Sequence, residues 1–160
     1  MRGFRLKGIC FNPTIFKGVK NRMNYNKIAV AIDFSKQSLK AFERAIRIAL
    51  NHDATLLIVN VVDTKSFGSI AAYDLKYAEQ LVQDSKKELE KLKAEALAQG
   101  VTTIETLVAE GSAKKILTSL PEIDLIICGE TGVNEVEKMM LGSIAERIVR
   151  YSTYDVLVVR

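Results

Sequence analysis

The stretch DLIICGETGVNEVEKMMLGSIAERIVRYSTYDVLVVR, residues 124–160, decides the fold. It holds a short apolar run at 124–129, a connection containing glycines, an amphipathic pattern at 143–152 and a second apolar run at 155–160. Continuous apolar runs of this length are typical of strands buried on both faces, and such strands belong to parallel sheets covered by helices. The stretch therefore predicts a strand, a helix and a parallel strand in succession.

The same alternation extends toward the start of the chain. Buried strands are further predicted over 27–32 and 54–62, and a strand of alternating apolar and polar residues over 103–110. Further helices are predicted up to about residue 51, over about 70–98 and over 112–120. The order predicts an α/β fold with a single five-stranded parallel sheet, doubly wound, with helices on both faces. We expect the strand order 3-2-1-4-5, in which the order reverses between strands 1 and 4. Ligands bind at the carboxyl ends of the strands at such a switch point.

The first 22 residues differ from the rest in charge. Six of the 23 basic residues and none of the 19 acidic residues lie there, which leaves 17 basic against 19 acidic residues in 23–160. We expect an appendage that is disordered or that results from a start site placed too early, with Met23 as the true first residue. A targeting peptide and a basic arm that contacts nucleic acid or a membrane are the alternatives. The folded domain is expected to span 23–160.

Composition argues against several classes of function. No apolar run approaches the roughly 18 residues that span a bilayer, so no membrane partner is expected. Cys10 and Cys128 are too few for a disulfide framework, and Cys128 lies in an apolar run that favours a core position. His52, the single histidine, has no second histidine or cysteine beside it for a zinc site or a catalytic pair. The lack of tryptophan argues against a base-stacking surface, so no nucleic-acid partner is expected of residues 23–160.

Gly129, Gly132, Gly142 and Ser143 form the pattern G-x2-G-x9-G-S at the predicted switch point. Glycine allows the backbone to approach a ligand closely, and the free N–H groups at the start of the following helix attract anions. The pattern therefore favours a nucleotide whose phosphates lie on the last helix. The alternative is that these glycines form an ordinary turn and a helix end. The G-x-x-x-x-G-K-[ST] motif is absent, as is G-x-G-x-x-G after the first strand.

This spacing resembles the ATP-binding signature of the universal stress protein family. The block LGSIAERIVRYSTYDVLVVR is similar to the carboxyl-terminal block of that family, and KIAVAIDFSKQSLKAFERA is similar to its first strand and helix. The resemblance covers residues 26–160. It implies a cytoplasmic stress-response protein that forms a homodimer and acts as a nucleotide-dependent switch. The implied ligand is ATP with Mg²⁺, with AMP and ADP as competitors.

The resemblance also implies which residues form the site. Those implied to lie against the adenosine are Ala31, Ile32, Asp33 and Val61. Those implied to shape the loop beside the ribose and phosphates are Cys128, Gly129, Thr131 and Gly132. Those implied to bind the phosphates, through backbone N–H groups and the Ser143 hydroxyl, are Gly142, Ser143, Ile144 and Ala145. No catalytic residue is expected, so ATP hydrolysis is slow at most, and Asp33 is the candidate for holding Mg²⁺.

Four positions depart from the family pattern: Thr131 stands where the family often has His or Arg, Asp155 replaces the usual Pro before the last strand, and Glu130 and Ala145 bear on the phosphates. Glu130 places a carboxylate where the family often has Ser or Ala, and a carboxylate near a triphosphate repels it. Ala145 replaces a frequent Ser or Thr and removes a hydroxyl donor. These departures favour an alternative, a nucleotide-independent module of the same fold that acts by binding other proteins. A third alternative is an enzyme of a related nucleotide-binding fold, but its H-x-G-H and S-G-G-x-D-S motifs are absent.

The last predicted strand, 155–160, is expected to carry the dimer contact. An apolar strand at a sheet edge exposes unpaired backbone groups and promotes aggregation unless something covers it. Antiparallel pairing with its own copy across a two-fold axis covers both edges at once.

Overall fold

The computed structural model describes residues 24–63, 72–131 and 141–160. Strands and helices alternate along them: β1 (Lys27–Ile32), α1 (Lys36–His52), β2 (Thr55–Val62), α2 (Ala72–Ala98), β3 (Ile104–Glu110), α3 (Ala113–Ile116), β4 (Leu125–Gly129), α4 (Ser143–Tyr151) and β5 (Asp155–Val159). Every pairing is parallel, and the order is β3-β2-β1-β4-β5. The predicted fold class and strand order are confirmed. The predicted appendage, 1–22, lies outside the described residues.

Helices cover both faces of the sheet, as the continuous apolar strands predict. On one face α1 and α2 pack against the even-numbered side chains of β1 and β2, with Phe42, Ile46 and Leu89 among the buried contacts. On the other face α3 and α4 pack against the opposite side chains, and Ile148 of α4 is fully buried there. None of the helices in the described ranges combines the length and the apolar composition that crossing a bilayer requires.

The ends of α1 and α2 follow from local backbone chemistry. The Ser35 hydroxyl accepts the backbone N–H of Ser38 and caps the start of α1. Asp53, with φ 51°, ends the helix in the left-handed region. After α2, Gly100 adopts φ +103° and its N–H donates to the carbonyl of Leu97, which confirms the predicted stop.

The third helix is shorter than predicted. A helix was expected over 112–120, whereas α3 covers only Ala113–Ile116. The Thr118 hydroxyl donates to the carbonyls of Lys114 and Lys115, and the Ser119 hydroxyl also donates to Lys115. These side chains satisfy carbonyls that a continuing helix would use, so the helix ends before Pro121.

Gly129, the last residue of β4, lies against the first turn of α1. A Cβ built on Gly129 would lie 2.9 Å from both the carbonyl carbon and the Cβ of Gln37. These are atoms of the helix backbone and its first side-chain carbon, so they cannot move without moving the helix. The glycine therefore allows α1 to start directly beside the end of β4.

The Gly129→Ala substitution should lower stability because it displaces the start of α1. We expect a loss of about 1–3 kcal/mol in the free energy of unfolding, the usual cost of overpacking. Urea unfolding followed by circular dichroism measures it. The matched control is Gly142→Ala, because Gly142 has φ −59° and ψ 148°, which alanine adopts readily. Equal stability of the Gly129→Ala variant and the parent chain would contradict the close approach.

Candidate functional site

The site is built where β1 and β4 lie side by side. The two strands pair in register from Ile28 opposite Leu125 to Val30 opposite Ile127. The chain leaves β1 toward β2 on one side and leaves β4 toward β5 on the other. Their carboxyl ends therefore border the crevice at which doubly wound sheets bind ligands.

The β1–α1 junction sets the position of Asp33. One carboxylate oxygen, Oδ1, accepts the backbone N–H of Ser35 at 3.0 Å, and no described residue donates to the other oxygen. Asp33 is half-buried, and Phe34 after it has φ 62°. Ser35, not Asp33, caps the helix. One oxygen of Asp33 thus stays available to a ligand hydroxyl or a cation.

Ala31, Val61 and Cys128 lie together on the sheet face that α3 and α4 cover. Ala31 and Val61 are partly buried, whereas Cys128 is 3% exposed. Burial raises the pKa of the Cys128 thiol to about 11, so the thiol is protonated at neutral pH. The prediction that Cys128 is a core side chain is confirmed. Ile32 lies on the opposite face and is also buried.

Glu130 ties the strand ends to the start of α4. Its N–H donates to the carbonyl of Val159 at 2.8 Å, and its own carbonyl accepts the N–H of Gly142 at 2.8 Å. The two ends of the glycine-containing connection are therefore held together. The Glu130 carboxylate forms an ion pair with Arg160, at 3.3 Å between Oε1 and Nε. Thr131 is half-buried beside it, and Gly132 lies outside the described residues.

The amino end of α4 has free backbone donors. Gly142 occupies the cap position and no side chain caps the helix, in contrast to Ser35 at α1. The N–H of Glu146 donates to the carbonyl of Gly142, so the N–H groups of Ser143, Ile144 and Ala145 precede the first intrahelical bond. Ser143 and Ile144 are exposed, whereas the Ala145 methyl is buried against the sheet. Uncapped donors with the positive end of the helix dipole form an anion site.

Sequence reasoning missed two polar residues at this end of the sheet. Asn60 of β2 is 6% exposed and donates through Nδ2 to the carbonyl of Ile32 at 2.8 Å. The Oε1 atom of Gln37, next to Gly129, is buried and has no partner among the described residues. Asn60 could have been found as the one polar residue in the run LLIVNVV, whereas nothing in the sequence distinguishes Gln37.

The outer face of α4 carries a groove of about 370 Å³ beside α3. Ser143 belongs to both the groove and the amino end of the helix. Arg147 is stacked on Tyr151, with the guanidinium carbon 3.7 Å from the ring centroid. The groove is lined by Lys114, Ser143, Glu146, Arg147, Arg150 and Tyr151. Within the described ranges, no group of three or more His, Cys, Asp or Glu residues is placed to hold a metal.

Known proteins resemble this chain over most of its length. Residues 24–160 match the model of the Universal stress protein family. A protein of Staphylococcus haemolyticus assigned to the universal stress proteins is 39% identical over 142 residues, which cover 86% of each chain. The structure of universal stress protein UspA from Lactobacillus plantarum superposes with a TM-score of 0.80 at 26% identity, covering 86% of this chain and 99% of that one. A universal stress protein in complex with cAMP has a TM-score of 0.66 at 29% identity, covering 86% and 98%.

Proposed function

The chain belongs to the universal stress protein family, and from this premise we propose that it binds ATP at the β1–β4 switch point and acts as a nucleotide-dependent switch in a homodimer. The observation that carries the proposal is the uncapped amino end of α4, which the bond from Gly142 to Glu130 holds beside the end of β4. Three backbone donors there lack intrahelical partners. A triphosphate supplies the charge and the acceptor oxygens that such donors need.

In the proposed site, the adenosine lies at the ends of the strands and the phosphates lie at the start of α4. The residues proposed to contact the adenosine are Ala31, Ile32, Asp33 and Val61. The residues proposed to border the ribose and phosphates are Cys128, Gly129, Thr131 and Gly132. The residues proposed to bind the phosphates are Gly142, Ser143, Ile144 and Ala145. Asp33 offers its free oxygen to a ribose hydroxyl or to the Mg²⁺ that accompanies ATP.

Two of the departures from the family pattern, Glu130 and Ala145, are proposed to weaken ATP binding less than the sequence suggests. The Glu130 carboxylate pairs with Arg160, which balances its charge. The Ala145 side chain faces the core cluster, so the phosphates approach its backbone N–H and not its methyl group. The solved relative in complex with cAMP is consistent with an adenine nucleotide as ligand. AMP and ADP are proposed to compete with ATP, hydrolysis to be slow at most, and the protein to act in the cytoplasm.

Two substitutions of Ser143 separate the contribution of its backbone N–H to ATP binding from that of its hydroxyl. Ser143→Pro removes both the backbone N–H and the hydroxyl, yet proline is favoured at the first position of a helix and Gly142 already has a compatible conformation. Ser143→Ala removes the hydroxyl alone. We expect Ser143→Pro to weaken Mg-ATP binding by about tenfold or more and Ser143→Ala by less, since a hydrogen bond to a charged group contributes roughly 1.5–3 kcal/mol. Isothermal titration of the full chain measures both.

The same titration decides between the proposal and its alternative. Circular dichroism of the two variants should match the parent, which shows that α4 is retained. Equal ATP affinity of the parent and of Ser143→Pro would show that the phosphates do not bind the amino end of α4. A folded parent chain that gives no heat with ATP, ADP or AMP would favour the nucleotide-independent interaction module.

The edge strand β5 is the proposed dimer contact. The Asp155 N–H donates to Asp124 and the Val159 carbonyl accepts from Glu130, so odd-numbered backbone groups of β5 face β4. Because backbone direction alternates along a strand, the N–H and C=O groups of Val156 and Val158 face the open edge. These are the groups that a second copy of β5 can bind across a two-fold axis.

Val158→Pro should convert the dimer to a folded monomer. Proline removes a donor from the open edge and leaves the β4 ladder intact, a position at which sheets tolerate proline. Sedimentation equilibrium of the parent should give twice the chain mass of 17.8 kDa. The control Val158→Thr keeps the N–H and should remain dimeric. A monomeric parent, or a dimeric Val158→Pro variant, would contradict pairing through β5.

A further inference from the structure

The peptide group that joins Ile32 to Asp33 is held at both ends by side chains. Its carbonyl accepts Nδ2 of Asn60 at 2.8 Å, and its N–H donates to the Ser38 hydroxyl at 3.4 Å. The Ser38 hydroxyl in turn donates to the carbonyl of Ser35 at 3.0 Å. The plane of this peptide fixes the direction in which the chain leaves β1 and therefore where the Asp33 carboxylate points.

The two side chains that hold this peptide are also the two buried polar residues of the described part of the chain. Ser38 is 3% exposed and Asn60 is 6% exposed. Asn60 follows Leu56 and Ile58 on the same face of β2, and both of those are fully buried and apolar. Asn60 thus takes a core position whose neighbours along the strand are apolar, and its amide bonds the end of β1 there.

Burying this amide carries a cost that its Nδ2 bond to Ile32 offsets only in part. No described residue donates to Oδ1 of Asn60, although the atom is shielded from water. A buried polar atom without a partner lowers stability, and an apolar side chain of similar size avoids that loss. The amide therefore lowers stability at Oδ1, while its Nδ2 bond fixes the position of the peptide that follows Ile32.

We propose that Asn60 and Ser38 are positioning residues that hold the Ile32–Asp33 peptide so that the Asp33 carboxylate meets the nucleotide; this rests on the proposed nucleotide site. Asn60 and Ser38 do not contact the ligand themselves. They fix the peptide from β2 on one side and from α1 on the other. Their contribution to binding therefore passes through Asp33.

A double-mutant cycle tests whether the effect passes through Asp33. In the full chain, Asn60→Leu should weaken Mg-ATP binding by about tenfold when Asp33 is present and by less than about twofold in the Asp33→Asn background, because residues that act through one contact are not additive. Ser38→Ala should also weaken binding only when Asp33 is present. It replaces Asn60→Leu in the cycle if that variant fails to fold. Isothermal titration gives the affinities, and urea unfolding gives the stabilities.

Ile58→Val is the matched control, since Ile58 is buried on the same strand and face as Asn60 but bonds no site residue. It should lower the urea midpoint and leave ATP affinity unchanged. A ligand-free measurement supports the cycle: Asn60→Leu should shift the Asp33 amide resonance strongly, and Ile58→Val should shift it little.

The outcomes distinguish this inference from the function on which it rests. A folded parent chain that binds no adenine nucleotide overturns both proposals. If the parent binds and Asn60→Leu causes the same tenfold loss with Asp33 present and in the Asp33→Asn background, the positioning role alone is overturned. An unchanged affinity in both Asn60→Leu and Ser38→Ala overturns it as well.

Discussion

The parallel pairing of β1 with β4 sets the geometry of the proposed site and of the elements around it. It places two strand ends side by side whose chains leave in opposite directions, and doubly wound sheets bind ligands at such a point. At the end of β4, Gly129 has no Cβ, and this allows α1 to start directly beside the strand at Gln37. A packing requirement of the core and the opening of the proposed site therefore fall on the same glycine.

The residues that follow β4 then hold α4 beside the strand ends through their backbone. Glu130 binds β5 through its N–H and the cap residue Gly142 through its carbonyl, so the start of α4 is fixed relative to the sheet. This explains how uncapped donors are held in place without a capping side chain. Stability at this end comes from β4, β5 and the sheet-facing side of α4, which leaves the first N–H groups of α4 free for an anion.

Much of this arrangement follows from the sequence because it depends on local pattern. Buried runs such as KIAVAI predict the strands, and strict alternation with helices predicts a doubly wound parallel sheet. What the sequence did not predict depends on contacts between distant residues. The ion pair of Glu130 with Arg160 joins two strands, and the Asn60 bond to Ile32 crosses between neighbouring strands. The early end of α3 was not predicted because the Thr118 and Ser119 hydroxyls bond backbone carbonyls that the helix would otherwise use. The apolar pattern of the sequence does not show such bonds.

The proposed function places a nucleotide at the β1–β4 switch point with its phosphates on α4. The most direct measurement is the change in backbone amide resonances of ¹⁵N-labelled protein as Mg-ATP is added. This placement predicts the largest changes at Ser143, Ile144 and Ala145, with Asp33 also affected, and little change at the amino ends of the strands near His52. Changes confined to the outer groove at Arg147 and Arg150, with Asp33 unaffected, would contradict it.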